Sequence, residues 1–280
     1  MTLVACAGDD GGGVAADSEA HRPVWRSAAA QPFPALRAAP YNVVEPPAPG
    51  SPGAWGSIAG TVELLGDPID DNDSDLPGEN RGCGRSAEES DVAQGAIERD
   101  GTGLLNVVVW LADIRTGRRL PLERRFELTN RDCMLVPRVQ AVAQGGTLNV
   151  RNRDNEMHRT RFVRTRTGET LELLRYNDAG QVVPVESVLA ERGLLEVRCD
   201  SHPWTLGWIA VFDHPYFAVT GRDGEFTIQG VPPGRYRLVA WHERLGIVEE
   251  DIEVKPGDGT GDAEPEEVLL RYQITPLQAP

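Results

Sequence analysis

Turn residues interrupt this chain before any apolar segment grows long, and that punctuation constrains its fold more than any other feature. Tyr236-Arg237-Leu238-Val239-Ala240-Trp241 alternates as a strand directly after Val231-Pro232-Pro233-Gly234. Phe226-Thr227-Ile228 follows Arg222-Asp223-Gly224-Glu225, and Thr116-Gly117 ends the apolar run 104–114. Gly and Pro together supply 51 of 280 residues, a composition that favours short strands over long helices. Further strands are predicted over 57–64, 140–142, 147–150, 194–197, 207–212, 217–220, 249–254 and 267–272, with one short helical turn within 184–192. The chain therefore reads as all-β. A net charge of −15 argues against a general nucleic-acid binder. No run of 18 apolar residues is present to form a membrane-spanning helix.

The start of the chain resembles a bacterial lipobox. Leu3-Val4-Ala5 stands before Cys6, the residue that would carry lipid. Only five residues precede Cys6, fewer than a secretory apolar stretch needs, so a misplaced start or a chance match stays open. Residues 1–54 are expected to form a truncated signal followed by a disordered tether rich in Gly, Ala, Ser and Pro. On this reading the protein sits in the bacterial periplasm or cell envelope, anchored to the membrane through Cys6. The alternative is a plain disordered leader.

Three outer segments resemble the carboxypeptidase regulatory-like domain, a transthyretin-like β-sandwich. They are Gly56-Ser57-Ile58-Ala59-Gly60-Thr61-Val62, Leu105-Asn106-Val107-Val108-Val109-Trp110-Leu111, and Asp223-Gly224-Glu225-Phe226-Thr227-Ile228 with Val231-Pro232-Pro233-Gly234-Arg235-Tyr236-Arg237-Leu238. In the last, Asp-Gly is expected to close a hairpin. The family's pieces lie closer together than these do. The resemblance thus implies two Greek-key-type β-sandwich domains, one inserted in the other: 55–117 and 214–274 outside, 118–213 inside, and a tail at 275–280. Two tandem domains are the alternative.

The inserted stretch carries the chemistry. Asn152-Arg153-Asp154 precedes His158, and Cys199-Asp200-Ser201-His202-Pro203-Trp204-Thr205 follows some 40 residues later. This pattern resembles the cupredoxins, in the short-loop form of amicyanin and related methylamine-utilisation proteins. The resemblance implies a type-1-like copper site with His158, Cys199 and His202 as equatorial ligands, because thiolate and imidazole together hold both oxidation states of copper. Thr205 falls where the family's axial Met stands and is at most a weak axial ligand. A working centre with an altered potential and a decayed centre both remain open. So do a zinc site and a Cys133–Cys199 disulfide, which would end the copper reading. In an oxidising compartment the simplest pairing of the remaining cysteines is Cys83 with Cys133.

Residues 118–175 hold 13 Arg against 7 acidic residues. Arg159, Arg161, Arg164 and Arg166 are expected to line one basic strand face, either solvated or docking an acidic redox partner. His214 and His242 read first as structural. No Ser-His-Asp order, H-E-x-x-H motif or phosphate loop is present. The functional expectation is an electron carrier with a redox partner protein and no enzymatic activity. The alternative is a non-catalytic adhesion or carbohydrate- or protein-binding lipoprotein with a degenerate metal site.

Overall fold

The computed structural model describes Phe33, residues 41–48, Ser51, and residues 53–66, 97–202, 204–257 and 266–273. Cys6, Cys83 and the acidic stretch 67–96 lie outside the described residues. Within them the regular structure is all strand apart from one 3₁₀ turn at Ser187–Leu189.

The strands form two pairs of facing sheets. One sheet runs Phe217–Val219, Val108–Ala112, Gly234–His242, Gly246–Val254. It faces a sheet of Glu225–Val231, Gly56–Leu65, Gly103–Leu104 and Arg99–Asp100, with Glu266–Gln273 added parallel to Gly56–Leu65. Ile58, Leu104, Val109, Leu111, Leu238 and Leu270 are buried between the two. The third sheet runs Glu169–Tyr176, His158–Arg164, Gly193–Cys199, Leu206–Phe212, Val139–Ala143. The fourth runs Val182–Val185, Thr147–Asn152, Arg125–Arg131, Met134–Val136. Leu128, Leu148, Phe162, Leu195, Ile209 and Val211 fill the space between these. All strands of the second sandwich fall between Arg125 and Phe212, and those of the first lie on either side.

A third core joins the sandwiches. Successive strand residues point to opposite faces, so Val109 and Leu111 enter the first core while Val108 and Trp110 point away from it. Ile209 and Val211 likewise enter the second core, leaving Ala210 and Phe212 on the other face. Those outward faces meet: Trp110 and Phe212 rings lie 5.7 Å apart, and Trp208 and Trp241 rings 5.5 Å apart. Strands covered on both faces must be apolar at nearly every position, which is why 107–111 reads Val-Val-Val-Trp-Leu.

Several expectations change. The apolar run 104–114 is two strands, broken where Asn106 takes φ +65°. Asp223-Gly224 closes no hairpin: Phe217–Val219 and Glu225–Val231 belong to different sheets, so the turn carries the chain across the sandwich. Gly224 sits at φ +78°, and a Cβ there would stand 2.4 Å from the Val62 carbonyl oxygen. Part of the tether also packs. Phe33 stacks on Trp110 at 5.0 Å, and Asn42–Val43 pairs with Thr116–Gly117. The Arg row splits by strand parity. Arg159 and Arg161 face outward, while Arg164 is buried on the opposite face with Glu169 and Glu191.

His214 is buried at the junction, where its Nδ1 accepts the Tyr216 N–H at 3.2 Å. Burial holds its pKa at about 4, below the ordinary 6.5. The unfolded chain therefore takes up a proton between pH 6.5 and 4 that the native protein refuses. Stability is full above about pH 6.5 and falls as pH drops toward 4, by about 1.4 kcal/mol per pH unit for each such proton. Burial lowers His158, His202 and His242 in the same direction. His214→Asn keeps an acceptor for Tyr216 and should remove about one proton from this slope in denaturant melts across that range. Trp110→Ala should cost about 3–5 kcal/mol in the same melts at neutral pH, because it opens the junction core.

Candidate metal centre

Register places the central pair of side chains. Thr160 lies directly opposite Cys199 in the antiparallel pair 158–164 and 193–199, so both point to one face. His158, two residues before Thr160, shares that face. All three are buried on the inner side of the sandwich. His202 arrives on a tight loop, in which His202 N–H donates to the Cys199 carbonyl at 3.3 Å and Thr205 N–H to the His202 carbonyl at 2.9 Å. Cys199 N–H closes the loop on the Thr205 carbonyl at 3.2 Å.

Cys199 lies against both imidazoles, whereas among the described residues the side chains whose ligand atoms all lie within 4.8 Å of one another are Cys133, His158 and His202. Cys199 Sγ stands 3.7 Å from His158 Nδ1 and 3.4 Å from His202 Nδ1. The two imidazole rings are 4.8 Å apart. Cys199 is a free, buried thiol. Cys133 is disulfide-bonded, and Cys199 is not its partner. Cys83, the expected partner, lies outside the described residues, as does the lipidation residue Cys6.

Asp154 orients the cluster. Its Oδ2 meets His158 Nε2 at 3.0 Å, which leaves Nδ1 of that ring facing the thiol. The same carboxylate accepts the N–H of Asp132 at 2.7 Å and of Cys133 at 3.0 Å. Asp154 is itself held by its N–H to Asn152 Oδ1 at 3.0 Å. Beneath His158, the Tyr176 hydroxyl bonds both Thr160 and Asn130. Burial lowers the His158 pKa, an effect that Asp154 opposes. Burial, reinforced by the charge of His158, brings His202 to about 4. Burial thus favours the neutral form of both imidazoles, the form in which histidine binds metal.

The donors fit a soft or borderline first-row metal. Bonds of about 2.0 Å to imidazole and 2.3 Å to thiolate, meeting at trigonal angles, separate nitrogen from sulfur by about 3.7 Å. The observed 3.4 and 3.7 Å are close to that spacing. Thr205 is buried, and its hydroxyl is committed as a donor to the Cys133 carbonyl at 2.5 Å. Asp154 was read as part of the Asn152-x-Asp154 pattern, but its bond to His158 Nε2 was not. Nothing local signalled that Cys133 Sγ would lie 3.5 Å from His202 Nε2.

Residues 205–261 match the family model described as polysaccharide lyase family 4, domain II. No curated protein matches the chain. Among solved structures it is similar to a purple cupredoxin from Nitrosopumilus maritimus, with 18% identity and a TM-score of 0.27, over 31% of this chain and 99% of that one. It is also similar to amicyanin from Paracoccus versutus, with 15% identity and a TM-score of 0.28, over 33% of this chain and 85% of that one. A copper-containing nitrite reductase from Thermus scotoductus shows 16% identity and a TM-score of 0.29, over 44% of this chain and 26% of that one.

Asp154→Ala strips the partner from His158 Nε2 and from two backbone N–H groups at once. It should lower stability by about 1–3 kcal/mol in denaturant melts. It should also weaken metal binding about 10- to 100-fold by competitive titration.

Proposed function

We propose that this protein holds one copper ion between His158, Cys199 and His202 and serves in electron transfer, not as an enzyme. The observation that carries this reading is a free buried thiol faced by Nδ1 of two buried imidazoles at 3.4 and 3.7 Å. Copper, when bound, supplies a one-electron couple. The chain's own residues do the rest. Asp154 fixes the His158 ring, the short Cys199–Thr205 loop fixes His202, and the surrounding sandwich excludes water. Such a preset frame restricts ligand movement between oxidation states. Thr205 brings no thioether, so the centre would run without a strong axial ligand and at a shifted potential.

The same proposal takes 118–213 as a cupredoxin-like domain inserted in a carboxypeptidase regulatory-like sandwich of 55–117 and 214–274. It takes Cys6 as a lipid anchor in the periplasm or cell envelope, and a redox protein as the partner.

A second reading rests on the outer sandwich. A groove of about 570 Å³ there is bordered by Asp113, Arg115, Arg235, Tyr236 and Arg237, and the polysaccharide-lyase family model overlaps part of that border. Charged and aromatic groups of this kind suit a carbohydrate or protein ligand.

Cu(II) added to the purified protein should give an intense thiolate-to-copper band in the visible spectrum, and Cys199→Ser should abolish it. Lack of both the band and tight copper binding would sink the copper reading. Glycan-array binding that persists in a variant lacking all three ligand side chains would favour the second.

A further inference from the structure

The chain crosses from the first sandwich to the second through Gly117-Arg118-Arg119-Leu120-Pro121-Leu122-Glu123-Arg124-Arg125-Phe126. Both ends of this crossing are pinned. At the first, the Tyr41 hydroxyl donates to the Arg118 carbonyl at 2.7 Å, and Arg118 N–H donates to the Tyr216 hydroxyl at 2.8 Å. At the second, Thr147 N–H donates to the Arg124 carbonyl at 2.8 Å. Between the pins, Arg119, Pro121, Leu122 and Glu123 are exposed. Leu122, at 85%, is the most exposed large apolar side chain among the described residues. Val43 and Val44 lie alongside Thr116–Gly117 and are exposed as well.

A cleft of about 340 Å³ opens against this segment, with Phe217 of the first sandwich and Ala143 of the second in its walls. Arg118, Arg119, Arg124 and Arg125 line it together with Leu122. Among the described residues no carboxylate pairs with Arg118, Arg124 or Arg125. Arg119 pairs with Glu45 at 2.8 Å, and both of those side chains are well exposed. Arg118 lies over the Tyr216 ring, 5.8 Å from its centre. The Nε atoms of Arg118 and Arg124 are buried without a hydrogen-bond partner. Burial of these stems restrains both side chains before any ligand arrives. Guanidinia this close together repel one another, and an external anion would relieve that repulsion.

We propose that this segment is a docking site for an anionic phospholipid surface, with lipid phosphate in the arginine cleft and Leu122 among the first acyl methylenes. Guanidinium forks bind phosphate oxygens in pairs. A leucine exposed between two arginine pairs gains nothing from water. At a bilayer the apolar tip enters the interface while the charges stay at headgroup depth. That combination favours a lipid surface over an acidic protein, whose carboxylates would use the arginines and leave Leu122 in water. The net charge of −15 does not oppose docking, because charges are screened beyond about 8 Å at physiological ionic strength. Within that distance the segment sets four arginines against Glu123. Lipid on Cys6 would add a second hold on the same membrane, and Asn42–Val43, nearer that end of the chain, pairs directly beside the segment. The inference requires neither that lipid nor a metal at His158, Cys199 and His202.

The test uses the full-length Cys6→Ser protein, which carries no lipid at that position. It is sedimented with vesicles of phosphatidylcholine alone and with vesicles that also contain phosphatidylglycerol. The protein should bind the mixed vesicles and not the neutral ones, and high salt should release it. Arg124→Gln combined with Arg125→Gln should weaken that binding roughly 30-fold, at about fivefold for each arginine near an anionic surface. Leu122→Ser, which alters only an exposed side chain, should weaken it about tenfold. Circular dichroism checks that the variants fold, and Leu122→Ser decides alone if the arginine variant does not. Absence of binding to the mixed vesicles, or equal binding to the neutral ones, overturns the proposal. So does binding that Leu122→Ser keeps in full and that soluble polyglutamate competes away, a result that assigns the arginines to an acidic protein instead.

Discussion

The pairing register between His158–Arg164 and Gly193–Cys199 is the constraint on which the centre depends. Thr160 opposite Cys199 puts the thiol and the His158 imidazole on one face of one sheet. Side chains alternate with a period of two, so a slip of one residue would turn Cys199 to the outer face and bring Arg198 inward. The buried row Leu195, Val197, Cys199 and the row His158, Thr160, Phe162 resist such a slip together. The hydrophobic core thereby fixes the candidate ligands at no separate cost, since the thiol is the last member of an apolar stripe.

Asp154 extends that frame beyond the sheet. One carboxylate ties the His158 ring to the Asp132–Cys133 turn, which belongs to the facing sheet. It thus bridges the two layers of the sandwich at the end where the donors meet. Tyr176, Thr160 and Asn130 form a second polar link across the same space. The Tyr176 hydroxyl, Thr160 Oγ1 and Asn130 Nδ2 satisfy one another there, while the buried Asn130 Oδ1 has no hydrogen-bond partner among the described residues. The cluster is therefore tied to both layers of the sandwich by polar contacts.

The outward arginines show how far sequence reading reached. The strand from His158 was legible, and its alternation correctly put Arg159 and Arg161 together. Arg164 breaks that parity, and only the structure shows it paired with Glu169 and Glu191. Arg159 and Arg161 are not a bare basic face either, because Asp200 bonds Arg161 bidentately at 3.0 and 2.6 Å and lies 3.8 Å from Arg159. Cys199 and His202 were readable as a pair since only two residues separate them in one loop. His158 was readable through Asn152-x-Asp154 just before it. The nearness of Cys133 was not, as 69 residues separate it from His202.

The sequence alone determined the all-β class and most strand positions, and it singled out His158, Cys199 and His202 as candidate ligands, because alternation and turn chemistry act over a few neighbours. Tertiary structure decided what spans those neighbourhoods. It sent the Asp223-Gly224 turn across a sandwich instead of around a hairpin, and drew Phe33 onto Trp110 at the junction of two cores. It also brought a disulfide sulfur against a candidate metal ligand. The physical reason is common to all three: sheet register and layer packing are settled by burial summed over many distant residues, a quantity that no local pattern contains.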